Sequence, residues 1–199
     1  VPRVSESHLA ARRQQISEAA ELCFARNGFH ATSMQDVIRE AGLSAGAVYR
    51  YFPSKAALIR EIATETITAV TAGIDVALQT DPLPPLDQVL DTMLRTVEPY
   101  VESRLRIAVQ AWGEALRNPE LAEIIDGIQS QVRERLVKIA QRAREDGQLP
   151  PDSDDQAVAT ALFGQLPGYI LQRVVTGAPA RETYIAGLRA LLHATPNDR

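Results

Sequence analysis

The first fifty residues alternate apolar and polar positions with a helical period rather than a strand period. Leu9, Ile16, Ala20, Cys23 and Phe24 recur at the spacing of one buried face, and Gly28 follows Asn27 where a helix commonly closes in a left-handed residue. A second, short helix is predicted to start at Ser33. There S-M-Q-D sets Asp36 three residues after the serine, as in a capping box, and Met34, Val37, Ile38 and Ala41 form one apolar face before Gly42. Ser44 then caps a third helix that runs to about Tyr51, with Val48 and Phe52 turned inward. Pro53 ends it, because the proline ring disfavours helical geometry at the residue before it. Ser54 opens a fourth helix with Leu58, Ile59 and Ile62 on its buried side, extending into the high seventies.

The remainder repeats the same grammar. QTDPLPPL (79–86) is a proline-rich loop, after which Val89, Leu90, Met93, Leu94 and Val97 mark a fifth helix that Pro99 ends or kinks. A sixth helix is predicted over about 101–117, a seventh over about 119–146, an eighth over about 155–176 and a ninth over about 180–194, with EDGQLPPDSDD (145–155) as a second loop. No alternating strand pattern, 20–50-residue repeat or low-complexity tract interrupts this series. The expected fold is therefore all-α with about nine helices. Its expected domains are 1–55 and 56–199, with the fourth helix continuing from one into the other.

Composition narrows the class. Hydrophobic residues make up 45%, charged residues 23% and aromatics 5%, an ordinary globular balance far from disorder. The single Cys23 rules out an internal disulfide and a multi-cysteine zinc site. No segment approaches 18 uninterrupted apolar residues, and VPRVSESHLAARRQQ lacks the apolar stretch of a secretion signal, so a cytoplasmic location without membrane partners is expected. Net charge is −4, unevenly divided. Residues 1–55 hold seven Arg and Lys against five acids, leaving 14 basic and 20 acidic residues of the 21 and 25 for the rest. A mildly basic end on an acidic body suits a polyanionic partner at that end.

Catalysis finds little support. His8, His30 and His193 are scattered, and H-E-x-x-H, P-loop and G-x-S-x-G patterns are absent. D-S-D-D at 152–155 lacks the glycine and glutamate of a calcium loop and reads as a helix cap. No enzyme activity, metal or cofactor is expected.

The stretch 33–52 carries the chemistry: a capped short helix, a glycine-containing turn and a second short helix beginning at a serine, which is helix-turn-helix spacing. Ala41 lets the two helices approach, Gly42 supplies the turn, Leu43 fills the angle and Val48 packs back. The opposite side of the third helix presents Ala45, Gly46, Ala47, Tyr49 and Arg50. Small residues at a helix start permit close approach to a DNA groove, an arginine suits guanine O6 and N7, and a tyrosine hydroxyl reaches a phosphate. Gln35 is another candidate for a base edge. Lys55 is unexpected, because a helix start disfavours a cation. Together with the free amides there it forms a candidate phosphate site, as do Thr32 and Ser33 at the start of the second helix. The plain alternative for Lys55 is a side chain extended into water.

The run from Arg13 to Ile62 resembles the DNA-binding domain of the TetR family of bacterial transcriptional regulators. The resemblance rests on Phe24-Ala25-x-x-Gly28, Thr32-Ser33, Ala41-Gly42-Leu43-Ser44, and Tyr49-x-x-Phe52-x-x-Lys55 with Leu58. Where many members carry a second aromatic or a histidine after the first tyrosine, this chain has Arg50 and then Tyr51, so base preference does not carry over. The resemblance implies a helix-turn-helix domain joined through the fourth helix to a C-terminal bundle, a homodimer built mainly by the eighth and ninth helices, and a pocket whose small-molecule effector releases DNA. It leads to an expected repressor acting on a near-palindromic operator. The alternatives are an effector-dependent activator and a helix-turn-helix module for protein contacts.

Two further groups of candidates come from the residues themselves. Gly164 and Gly168, four apart in LFGQLPGYIL around Pro167, with Tyr184, Ile185, Leu188, Leu191 and Leu192, suit a close helical dimer interface or packing inside one subunit. Met93, Tyr100, Trp112, Phe163 and Tyr169, with Gln110, Glu114 and Gln165, suit a pocket for a small apolar or amphipathic effector. Arg106, Gln110 and Glu114, spaced by four, suit a solvated ion-pair stripe equally.

Overall fold

The computed structural model describes residues 6–100 and 103–192. The described residues form nine α-helices and one short 3-10 turn, with no strand. The helices are α1 (Glu6–Asn27), α2 (Met34–Ala41), α3 (Ala45–Tyr51), α4 (Lys55–Gln79), α5 (Leu86–Val97), α6 (Arg104–Ala115), α7 (Pro119–Glu145), α8 (Asp155–Thr176) and α9 (Arg181–Leu192). The 3-10 turn, Glu98–Tyr100, is where Pro99 stops α5. The expected helix portions at 101–102 and 193–194, and His193, lie outside the described residues.

Two compact units make up the chain. The first comprises Val1–Glu65 and Ser103–Ile128, the second Thr66–Glu102 and Gln129–Arg199. The helices α4 and α7 each run on from one unit into the other. Sequence alone assigned α6 to the effector part, whereas it folds with the helix-turn-helix.

In the first unit α1 packs against both α2 and α6. Its face of Ile16, Ala20, Cys23 and Phe24 is at most 1% exposed, and Val37 and Ile38 of α2, Val48 of α3 and Leu58, Ile59 and Ile62 of α4 are buried in the same unit. Leu105, Ile107 and Ala111 bury the inner face of α6. At the start of α6, Arg104 Nη2 pairs with Glu21 of α1 at 2.8 Å and with Glu65 of α4 at 2.7 Å.

In the second unit α5 packs against α8 and α9. It is strongly two-sided, burying Leu86, Val89, Leu90, Met93, Leu94 and Val97. Its carboxylates hold α9: Arg189 Nε lies 2.7 Å from Asp87, and Arg181 pairs with Asp91 and with Glu98. The loops at 79–86 and 145–155 tie together as well. Leu83 donates its N–H to Asp146 at 2.8 Å, and Gln148 donates to the Leu83 carbonyl at 2.9 Å. Asp154 caps α8 by accepting from the Gln156 and Ala157 N–H groups. Although Pro167 has no N–H to give the ladder, α8 stays continuous through it to Thr176.

Candidate nucleic-acid interface

The turn between α2 and α3 is built from local chemistry. Ser33 and Asp36 form a reciprocal capping box: Ser33 Oγ accepts from the Asp36 N–H at 3.2 Å, and Asp36 Oδ2 accepts from the Ser33 N–H at 2.9 Å. Bonds from the Ser33 hydroxyl and backbone hold the Asp36 carboxyl below its ordinary range, with a smaller contribution from the charge of Arg39. At the other end Gly42 takes φ +65 and turns its N–H back to the Arg39 carbonyl at 3.2 Å. A residue with a Cβ adopts that conformation only under strain. Ser44 then caps α3 by accepting from the Ala47 N–H at 3.3 Å.

Burial sorts the residues of α3. Val48 is 0% exposed and fixes the helix to the core, while Ala45, Gly46, Tyr49 and Arg50 are exposed and Ala47 and Tyr51 are half-buried. A Cβ built on Gly46 meets nothing within 4 Å. Packing inside the chain therefore does not require that glycine, and the bare backbone faces outward. Among the described residues Arg50 has no hydrogen-bond or ion-pair partner, and Gln35 stands exposed on the first turn of α2. Small backbone, one aromatic hydroxyl and one unpaired guanidinium thus share the outer side of the second short helix.

Two expectations at the edges of this surface are corrected. Thr32 is 1% exposed, and its hydroxyl donates inward to the Cys23 and Gly28 carbonyls at 3.1 and 2.7 Å, so it closes the α1–α2 corner and presents nothing to a phosphate. Lys55 does not simply extend into water. Its Nζ donates to the Phe29 carbonyl at 2.9 Å and the His30 carbonyl at 3.3 Å and stands 4.7 Å from the centre of the Phe29 ring. Those acceptors and the ring offset the unfavourable helix start. Burial pushes the Lys55 pKa down, and the charge of Glu114 works in the opposite direction. Two of the three ammonium donors are thus occupied within the chain.

The expected effector residues divide between the units. Gln110, Trp112 and Glu114 lie on α6 in the first unit, where Gln110 Oε1 accepts from the Phe29 N–H at 2.7 Å and Glu114 faces His30 at 3.3 Å. Gln110 and Glu114 border a cleft of about 440 Å³ between residues 27–31 and α6, and Trp112 is not among its lining residues. Met93 and Tyr169 of the second unit are fully buried, at 1% and 0% exposure, and Tyr100, Phe163 and Gln165 are half-buried. The Arg133 guanidinium lies 5.4 Å from the Phe163 ring centre. A cluster does form around Tyr184. Its hydroxyl is 3.1 Å from both oxygens of Gln165, its ring is 5.2 Å from that of Tyr169, and a Cβ on Gly168 would sit 3.6 Å from its oxygen. Gly168 thus has a packing partner inside the subunit, whereas Gly164 faces open space. Leu188 is half-buried and Leu191 is 74% exposed. The corner formed by Phe29 with Gln110 had no signal in the sequence, because periodicity gives the face of a helix and not what that face meets.

Comparison with known proteins agrees with this geometry. Residues 16–62 match the model of bacterial regulatory proteins of the tetR family, and residues 85–196, more than half the chain, match the C-terminal model of BetI-type transcriptional repressors. The chain belongs to the TetR family. This TetR-family regulator is 27% identical over 182 residues to the HTH-type transcriptional regulator UidR of Escherichia coli K12, covering 90% of each chain. It superimposes on Salmonella enterica GusR with a TM-score of 0.78 at 26% identity, over 96% of this chain and 97% of that one. The TetR-family regulator PfmR of Thermus thermophilus gives a TM-score of 0.70 at 26% identity, over 92% and 96%. The protein is accordingly a DNA-binding transcriptional regulator. Its relatives are regulators and not enzymes, and none of the helices among the described residues is long and apolar enough to cross a membrane.

Proposed function

We propose that this regulator is a repressor that binds a near-palindromic operator as a homodimer in the cytoplasm and leaves it when a small apolar or amphipathic effector binds. The observation that carries the DNA reading is the outer face of α3, with Gly46 bare and Arg50 exposed and unpaired among the described residues, while Val48 locks the inner face. In the major groove Arg50 donates to a guanine edge, Tyr49 meets a phosphate, Gln35 and Tyr51 flank the helix, and Ala45, Gly46 and Ala47 permit the approach. The Ser33 N–H and hydroxyl are both given to Asp36 and are not available to a phosphate. The third donor of Lys55 is left for a phosphate.

Repression is supported by the BetI-type repressor description of residues 85–196. Dimerisation is supported by apolar side chains left in water on one unit: Leu171 and Val175 of α8 and Leu191 and Leu192 of α9 are 39–74% exposed. Effector binding by the second unit is supported by the buried Tyr169 hydroxyl, which lacks a hydrogen-bond partner among the described residues. Such a group is stabilised when a bound molecule or water supplies the missing bond. An effector preferring one conformer weakens DNA binding by the same factor that DNA weakens the effector's.

Selection from a random duplex pool tests the proposal. It should return an inverted repeat whose half-site centres lie about one helical turn, 34–36 Å, or a multiple apart. Recovery of no enriched sequence, or of a single unpaired half-site bound by one chain, rejects the operator reading.

A further inference from the structure

The corner at Gly28–His30 is held by two helices through one residue. Gln110 Oε1 on α6 accepts from the N–H of Phe29 at 2.7 Å, and Lys55 Nζ at the start of α4 donates to its carbonyl at 2.9 Å. Phe29 is 4% exposed, so its backbone groups need partners within the chain. A Cβ on Gly28 would lie 3.3 Å from the same Gln110 oxygen, and Gly28 has φ +82, so the chain is shaped to admit that amide.

We infer that Gln110 is a positioning residue for DNA binding: by fixing Phe29 it fixes the carbonyl seat from which Lys55 presents its remaining N–H to a phosphate. This rests on the reading of Lys55 as a phosphate contact. A cation held in place before binding has less freedom to lose on binding. Gln110 is exposed and contributes nothing to the apolar core. At the other end α6 is secured independently by Arg104 with Glu21 and Glu65. The Gln110 amide therefore acts locally, on the corner, rather than on the packing of α6 against α1.

The test uses the full chain and its selected operator duplex, with the dissociation constant measured across a salt series for wild type, Gln110→Met, Gln110→Glu, Lys55→Ala and the double variant Gln110→Met/Lys55→Ala. Methionine keeps the chain length and removes the amide oxygen, whereas glutamate keeps an acceptor. Gln110→Met should bind about tenfold more weakly and lose about one from the salt slope, with faster hydrogen exchange at the Phe29 amide. Gln110→Glu should keep the wild-type slope, and the double variant should bind no more weakly than Lys55→Ala alone. Wild-type affinity in Gln110→Met, or losses that multiply in the double variant, would overturn the role of Gln110 alone. If Gln110→Met does not fold, Gln110→Glu decides: a retained slope supports the inference and a lost slope overturns it. A wild type that binds while Lys55→Ala leaves the slope unchanged removes the Lys55 contact and this inference with it, and a wild type that binds no duplex removes the functional reading itself.

Discussion

Single side chains decide what the reading surface offers. If Lys55 contacts a phosphate, Lys55→Ala should weaken binding to every duplex to a similar degree and lower the salt slope by about one, as read by fluorescence anisotropy at several salt concentrations. Arg50→Ala should instead flatten the difference between operator and scrambled duplex, at about 1–3 kcal/mol of discrimination. Asp36 gives a pH signature. Its carboxyl titrates below the ordinary value in the folded chain, so its contribution to stability is present above the unfolded pKa of about 4 and is lost as pH falls through the lower folded value. Asp36→Asn should therefore lower the melting temperature at pH 7, with the deficit against wild type closing in acid. Cys23 is 1% exposed and burial pushes its pKa up, so labelling of the native thiol should proceed only at the rate of unfolding. Rapid native labelling would show that α1 opens locally.

At the scale of elements, the strongest demand falls on Gly42. Gly42→Ala should destabilise the first unit by about 1 kcal/mol or more in denaturant titration, because φ +65 is strained for any residue with a Cβ. That turn also shows what the sequence made legible. Ser33 with Asp36, Gly42, Ser44 and Asp154 set helix ends through bonds to residues two to five positions away, so the boundaries of α2 and the starts of α3 and α8 could be read from neighbours alone. Thr32 was misread, and the carbonyl seat of Lys55 was missed, for the opposite reason. Their partners, Cys23, Gly28, Phe29 and His30, become partners only when the α1–α2 corner closes. The four-residue spacing of Gln110 and Glu114 fixed a shared helix face, but not that the face meets Phe29 and His30.

For the whole molecule, the exposed apolar residues of α8 and α9 carry the proposal of two chains acting together. Val175→Asp with Leu191→Asp should yield monomers by sedimentation velocity and abolish operator retention, while leaving the helical content intact. A dimer that persists would move the interface elsewhere. The most direct test of the central claim, that exposed α3 faces grip duplex DNA, is the operator dissociation constant measured from low to moderate salt. A steep linear fall of log K with log salt, about 0.9 per phosphate neutralised, is the predicted result, whereas no binding in dilute buffer, or binding indifferent to salt, would contradict it.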